Sequence, residues 1–131
     1  MTKLQENILR IPINLEEVEL YIYKGKVIRV VDGDTIDAEL DLGFGITMKQ
    51  RFRMNDYDAP ETWRPRNEAE EKHGQAAKKR AEELLLGKLI YLKSSKVPGI
   101  YGRYGATIWL EDGRDFVEIM ISEGFEKRDE Y

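Results

Sequence analysis

Three short segments of the chain carry side chains that could do chemistry. Residues 32–35 read Asp-Gly-Asp-Thr, residues 58–62 read Asp-Ala-Pro-Glu-Thr and residues 101–103 read Tyr-Gly-Arg, with Arg53 shortly before the second segment. Together they offer hard oxygen ligands for a cation, a carboxylate that could activate water, and a pair of guanidinium groups. Chemistry on a phosphodiester needs these groups, because a cation and arginines stabilise the negative charge that develops during the reaction.

Asp34 and Asp58 are the candidate metal ligands. Asp34 begins a predicted strand just past a tight turn, and Asp58 lies just past the end of another, where neighbouring strand ends can meet. Two carboxylates that meet without a cation repel each other. Because the chain has no Cys and His73 is its only His, calcium or magnesium is favoured over zinc. In isolation, the first segment is more typical of an ordinary Asx turn, and the other two segments favour the metal site instead.

Glu61 is the candidate for activating water. It follows Asp58 by three residues on a loop bent by Pro60, so its carboxylate can lie beside a cation without ligating it. That position suits a group that orients or deprotonates a water molecule. The alternative is a solvent-exposed loop Glu, which is the common fate of this residue type.

The elements that must position these residues follow from hydrophobic periodicity. The order of strands and helices predicts an α+β, five-stranded OB-type β-barrel, with a helix between strands 3 and 4 and a short C-terminal helix. A bend or bulge is expected at residues 24–25, and Gly74 is expected to mark a break or the true start of the first helix. The predicted strands cover residues 19–31, 35–42, 46–54, 89–92 and 106–110, and the predicted helices cover residues 68–86 and 115–122.

The order, spacing and intervening pattern of the three segments resemble the thermonuclease family, the staphylococcal-nuclease-like domains, from about Tyr21 to the C-terminus. The resemblance implies a calcium-dependent endonuclease that hydrolyses DNA and/or RNA, with magnesium as a possible substitute. It matches Asp34 and Asp58 to the family's metal aspartates and adds the backbone carbonyl of Ala59 as a third metal ligand. It also matches Glu61 to the family's base position.

The resemblance assigns the remaining site residues as well. Arg53 and Arg103 match the family's phosphate-binding arginines, whose planar guanidinium groups offer parallel N–H donors to phosphate oxygens. Tyr101 falls at the family's aromatic position near the substrate phosphate. The chain departs from the family where Ile100 replaces a common basic residue. It also ends at Tyr131, without the base-packing tyrosine and third helix of secreted bacterial members.

Length and composition limit the organisation of the chain. Its 131 residues suggest one domain, residues 19–131, preceded by an N-terminal arm, residues 1–18, where signals for a helix start and for an extended segment conflict. Without the third helix, the apolar side chains of Phe116, Ile119 and Met120 are expected to lack cover. Either the arm or a second copy could supply it, so we expect a monomer or a homodimer.

Charge and hydropathy limit the partners. The net charge of −4 argues against broad electrostatic capture of nucleic acid but leaves room for a local basic site. We expect DNA and/or RNA as the partner, with single strands preferred, and no membrane, because no apolar run approaches the ~20 residues of a membrane span. The first residues lack a signal-peptide pattern, which favours a cytoplasmic location, although a secreted protein already trimmed of its signal would show the same sequence. The alternative function is a non-catalytic OB-fold module that binds single-stranded nucleic acid or a protein partner.

Overall fold

A closed five-stranded barrel with two helices forms the part of the chain that the computed structural model describes, residues 19–131. Neither helix in this part is long and apolar enough to cross a membrane. The predicted OB-type fold is confirmed, whereas both interpretations of residues 1–18 lie outside the described residues. The strands are β1 (Ile22–Asp32), β2 (Thr35–Gly43), β3 (Ile46–Met54), β4 (Leu89–Ser94) and β5 (Tyr104–Leu110), and the helices are α1 (Glu68–Leu85) and α2 (Phe116–Ser122).

Strand pairing brings the chemically interesting residues to one end of the barrel. The antiparallel β2–β3 ladder pairs Thr35 with Arg53, and the parallel β3–β5 ladder pairs Arg53 with Gly105. The start of β2, the end of β3 and the start of β5 therefore lie side by side. Asp34 directly precedes β2 and Arg103 directly precedes β5, so the sheet register places both at the end of the barrel where Arg53 lies.

The C-terminal half of β3, predicted as a strand over residues 46–54, alternates between the core and the outer face. Phe52 and Met54 are buried in the barrel core, whereas Arg51 and Arg53 point to the opposite face. Since side chains of a strand alternate between its two faces, the burial of Phe52 and Met54 fixes Arg53 on the outer face. The core of the barrel thereby sets the direction of a site residue.

The expected bend at residues 24–25 is wrong. Gly25 pairs regularly with Leu40 of β2, and the irregular positions of this ladder lie at residues 27–29 and 30–32. Gly25 serves close packing instead, because a Cβ atom there would lie 2.8 Å from Leu40 Cδ2. A glycine inside a strand indicates either a bulge or bend, or a place where a neighbouring group approaches closely. Gly25 is the second case.

The expected break at Gly74 is also wrong, because α1 runs through it without interruption. Asn67 caps the helix, and its side-chain oxygen accepts a hydrogen bond of 2.9 Å from Glu70 N–H. Gly74 is buried, and a Cβ atom there would lie 2.8 Å from the carbonyl carbon of Glu61 and 3.1 Å from the carbonyl oxygen of Pro60. The glycine thus allows the loop that carries Glu61 to lie directly on the helix.

The second helix, predicted over residues 115–122, begins directly after Asp115, which caps it. The Asp115 side chain accepts a hydrogen bond of 3.1 Å from Glu118 N–H. Phe116 and Met120 are fully buried, and Ile119 packs against the core. These side chains are therefore not left exposed, while the roles expected for the arm and for a second copy stay predictions.

Replacing Gly74 with Ala is expected to destabilise the fold. Alanine favours a helix interior over glycine by about 1 kcal/mol, but overpacking against backbone that cannot yield costs about 1–3 kcal/mol. We therefore expect a lower free energy of unfolding in denaturant titrations. Gly99→Ala is the matched control, because its Cβ would meet nothing closer than 3.6 Å. A Gly74→Ala protein as stable as the parent would contradict the close packing.

Candidate active site

One arginine and two aspartates form the centre of the site at the end of the barrel. Arg53 Nη2 lies 3.3 Å from Asp34 Oδ2 and also forms an ion pair with Asp58 Oδ1. Arg53 Nη1 donates to the backbone oxygens of Met54, at 3.1 Å, and Tyr57. Because both carboxylates contact the same nitrogen atom, they converge on one point, and that point carries a positive charge.

Asp34 is the fixed member of this cluster. It is buried; its Oδ2 accepts a hydrogen bond of 2.9 Å from Ala59 N–H and its Oδ1 accepts one of 2.9 Å from the Thr35 hydroxyl. The Asp58 side chain is 76% exposed. The site therefore combines one carboxylate held by the fold with one that faces solvent.

Asp32 is a third carboxyl group beside this cluster, and the sequence argument gave it only a turn role. Its Oδ1 accepts a hydrogen bond of 3.1 Å from Asp34 N–H. Burial, followed by the hydrogen bond and the charge of Asp34, raises the pKa of Asp32 to about 7. Its position two residues before Asp34 was the signal that could have identified it.

Glu61 lies beside the cluster on the loop that Gly74 supports. Its Oε1 is 3.7 Å from Lys127 Nζ. Lys127 N–H donates a hydrogen bond of 2.9 Å to the backbone oxygen of Asp58. Lys127 thus contacts two predicted site residues, although no local pattern in the sequence singled it out.

A buried carboxylate anchors the C-terminal segment next to the site. Glu70 is fully buried; its Oε2 accepts a hydrogen bond from Arg66 Nε, and its Oε1, which has no hydrogen-bond partner among residues 19–131, lies 4.0 Å from Lys127 Nζ. The Arg66 guanidinium holds the pKa of Glu70 below its ordinary value. Arg66 also donates to the backbone oxygens of Asp129 and Arg128, each at 2.8 Å. Residues 127–129 are therefore tied to the loop before α1.

Tyr131 completes this anchor. Its hydroxyl oxygen lies 2.7 Å from His73 Nδ1, and His73 Nε2 lies 2.8 Å from the backbone oxygen of Gly124. The Arg66 guanidinium lies 5.1 Å from the centre of the Tyr131 ring. Tyr131 therefore packs on α1, and the only histidine of the chain serves this contact.

Arg103 and Tyr101 lie on a separate exposed loop before β5. The Arg103 guanidinium is 5.7 Å from the centre of the Tyr101 ring, and Tyr101 is itself exposed, with a backbone φ of 63°. Within residues 19–131, Arg103 forms no ion pair with the aspartates of the cluster. The structure thus joins Asp34, Arg53, Asp58 and Ala59, places Glu61 next to them, and leaves Arg103 and Tyr101 apart at the same end of the barrel.

A cleft of about 560 Å³ opens beside Arg53 and Asp58, between the end of β3 and the C-terminal segment. Arg66 and Lys127 also line it. Within residues 19–131 no group of three or more His, Cys, Asp or Glu side chains is arranged to hold a metal ion. Two convergent carboxylates are nevertheless suitable donors for a hard cation that completes its coordination with water.

Comparison with known families agrees with this geometry. Residues 51–130 match the family model described as staphylococcal nuclease homologue. The match covers more than half of the chain and includes Arg53, Asp58, Glu61 and Arg103, so the chain belongs to this family and the predicted resemblance is confirmed. No curated protein matches the chain. Membership defines a nuclease-type OB module of the kind that generally binds nucleic acids.

The raised pKa of Asp32 predicts a pH-dependent stability when divalent ions are removed by a chelator. Between the ordinary value of 3.8 and about 7, the folded state keeps a proton that the unfolded chain has lost. The folded state therefore binds more protons in this window, and stability falls as the pH rises through it. We expect Asp32→Asn to be more stable than the parent at pH 8, measured by denaturant unfolding, and similar at pH 4.

Asp41→Asn is the matched control for this experiment. Asp41 makes the same type of turn, in which its Oδ1 accepts a hydrogen bond of 2.9 Å from Gly43 N–H, but at an exposed position. The Asp41 variant should follow the pH profile of the parent. Identical profiles for the parent and Asp32→Asn would show that burial of Asp32 carries no cost.

Proposed function

We propose that the protein is a calcium-dependent endonuclease that hydrolyses phosphodiester bonds of DNA and/or RNA, with single strands preferred. The observation that carries the proposal is the convergence of Asp34 and Asp58 on one cationic point, with Glu61 on the adjacent loop. Family membership supports the reaction class. The cleft beside the cluster offers space for a nucleotide strand.

Asp34, Asp58 and the backbone carbonyl of Ala59 would hold the calcium ion. A bound divalent cation supplies positive charge that polarises the phosphodiester and makes water a better nucleophile. Asp34 suits this role because its burial and two hydrogen bonds fix its orientation in advance. The oxygen-only donor set favours calcium or magnesium over softer metals.

Arg53 would stabilise the charge that develops on the phosphate. Its Nη1 is held by the backbone oxygens of Met54 and Tyr57, so the guanidinium is oriented by the protein and not by the substrate. Donors that are aligned before the reaction need no rearrangement during it, which is the main source of electrostatic catalysis. Arg103 would add a second guanidinium from the exposed loop, with Tyr101 beside it.

Glu61 would orient or accept a proton from the attacking water. Its backbone rests on α1 at Gly74, and its carboxylate is paired with Lys127. Both contacts limit the motion of a loop residue that would otherwise be free. A base must lie within hydrogen-bond reach of the water it serves, so this restraint favours the role.

The second candidate function is a non-catalytic OB-fold module that binds single-stranded nucleic acid or a protein partner. It is favoured by the ion pairs that already neutralise Arg53 and by the separation of Arg103 from the cluster. Such a module would need neither a metal nor Glu61.

Calcium is expected to raise the melting temperature of the parent protein. A ligand at about 100 times its dissociation constant stabilises the folded state by about 2.7 kcal/mol. Asp34→Ala should abolish the calcium-dependent part of this shift, whereas the exposed Asp41→Ala should keep it. The measurement is thermal unfolding with calcium and with chelator. If the melting temperature of the parent is the same with calcium and with chelator, the metal site is wrong.

Glu61→Gln is expected to separate the enzyme from the binding module. The variant keeps the size and polarity of the side chain but loses the negative charge that would orient or deprotonate the attacking water. The cleavage rate should therefore fall by at least about 100-fold, the scale of general-base assistance. Binding of a short oligonucleotide should change little. The assay incubates labelled single-stranded DNA and RNA with protein in calcium, in magnesium and in chelator.

Glu71→Gln, at an exposed position of α1, is the matched control and should cleave like the parent. If the parent binds strands without cleaving them under any divalent ion, the binding module is the correct function.

A further inference from the structure

Trp63 is the most unusual exposed side chain near the candidate site. It is 71% exposed, whereas the other tryptophan, Trp109, is half-buried in β5. Aromatic side chains of this size normally bury about 150–250 Å² and contribute strongly to cores and interfaces. A tryptophan left in water at a site therefore calls for a ligand that covers it.

The loop that carries Trp63 is fixed at both ends. At its start, Ala59 N–H is bonded to Asp34, and at its end Arg66 is bonded to Glu70 and to two backbone oxygens of the C-terminal segment. Between these anchors, Arg64 has a backbone φ of 55°, and the ring of Pro65 restricts its own φ. Trp63 is thus presented on a restrained loop, which lowers the entropy lost on binding.

One face of the indole is already covered by a cation. The Arg64 guanidinium lies 4.4 Å from the centre of the Trp63 ring, a distance typical of a cation–π contact. Since the side chain remains 71% exposed with Arg64 on one face, the other face is open to solvent. An aromatic face flanked by an arginine is the combination that single-stranded nucleic acid binders use for stacking bases.

The position of this face relative to the site suits a neighbouring nucleotide. Trp63 follows Glu61 by two residues, so their Cα atoms are at most about 7 Å apart. Stacked bases are about 3.4 Å apart along a strand. This spacing allows a strand whose phosphate reaches Glu61 to place a base at the indole one or a few nucleotides away.

We propose that the open face of Trp63 stacks on a nucleobase of the substrate strand next to the bond that is cleaved, with Arg64 close to the flanking phosphate. The inference rests on the proposed function and specifies its substrate as a strand with unpaired bases. Stacking on an aromatic face tolerates every base, so the contact adds affinity without sequence preference.

The test uses Trp109→Phe protein, in which Trp63 is the only tryptophan. Its fluorescence is followed during titration with a short oligothymidine and with an abasic oligonucleotide of equal length, both in calcium and with Glu61→Gln added to the protein so that cleavage is slow. We expect a saturable fluorescence change with oligothymidine and little change with the abasic strand. An equal response to both strands, or none to a bound oligothymidine, would overturn the stacking contact.

Affinity measurements on variants complete the test. Trp63→Ala should weaken binding of oligothymidine by about 5- to 150-fold, the effect of one base–aromatic stack, and leave the abasic strand unaffected. Trp63→Phe should retain most of the affinity. Phe44→Ala is the matched control, because Phe44 is fully exposed in the β2–β3 turn. Equal losses for both strands would show that Trp63 acts only on the loop's structure.

The two proposals fail in different ways. Metal-dependent cleavage by a protein whose Trp63 does not respond to bases would overturn the stacking contact alone. A base-dependent response without cleavage would overturn the nuclease and keep the contact in a binding module. A parent that binds no oligonucleotide, with Trp63 covered instead by a protein partner, would overturn both.

Discussion

The buried carboxylate of Asp34 is the constraint on which the rest of the site depends. A buried charge is costly unless it is paired and hydrogen-bonded, and Asp34 meets this requirement with Arg53, Thr35 and the backbone N–H of Ala59. These partners come from β2, from β3 and from the loop after β3. Satisfying one carboxylate therefore brings three parts of the chain together at one end of the barrel, and the geometry of the candidate site follows from a requirement of folding.

A second buried carboxylate, Glu70, orders the C-terminal segment beside the site, as Asp34 orders the centre of the site. It holds Arg66, which holds the backbone of residues 128–129, and Lys127 from the same segment reaches Glu61. The loop between Ala59 and Asn67 is consequently attached at both ends. Because the loop is already ordered, its side chains lose less conformational entropy when they bind a ligand.

Local patterns predicted the elements well and the long-range contacts poorly. Alternation gave the bounds of β3 as Ile46–Met54, and Asp115 correctly marked the start of α2. Gly25 and Gly74 were misread because a glycine signals either flexibility or close approach, and only the fold shows which neighbour approaches. The contact of Lys127 with Glu61 joins residues far apart in the sequence, so no periodicity could reveal it. The functional assignments to Asp34, Asp58 and Glu61 remain predictions that the geometry supports.

The charges around the centre explain how an acidic chain could act on a polyanion. Within residues 19–131, the carboxyl groups of Asp32, Asp34, Asp58 and Glu61 are opposed by two cations in direct contact with the group, Arg53 and Lys127. Burial is the main cause of the raised pKa of Asp32, and the hydrogen bond and charge of Asp34 and the charge of Glu61 add to it. A phosphate approaching this cluster would be repelled. A divalent cation would remove the repulsion and attract the phosphate at the same time, so the proposed metal would strengthen substrate binding as well as serve the chemistry. Contacts further out, such as a stack on Trp63, add affinity that does not depend on charge, and this suits a chain whose net charge is −4.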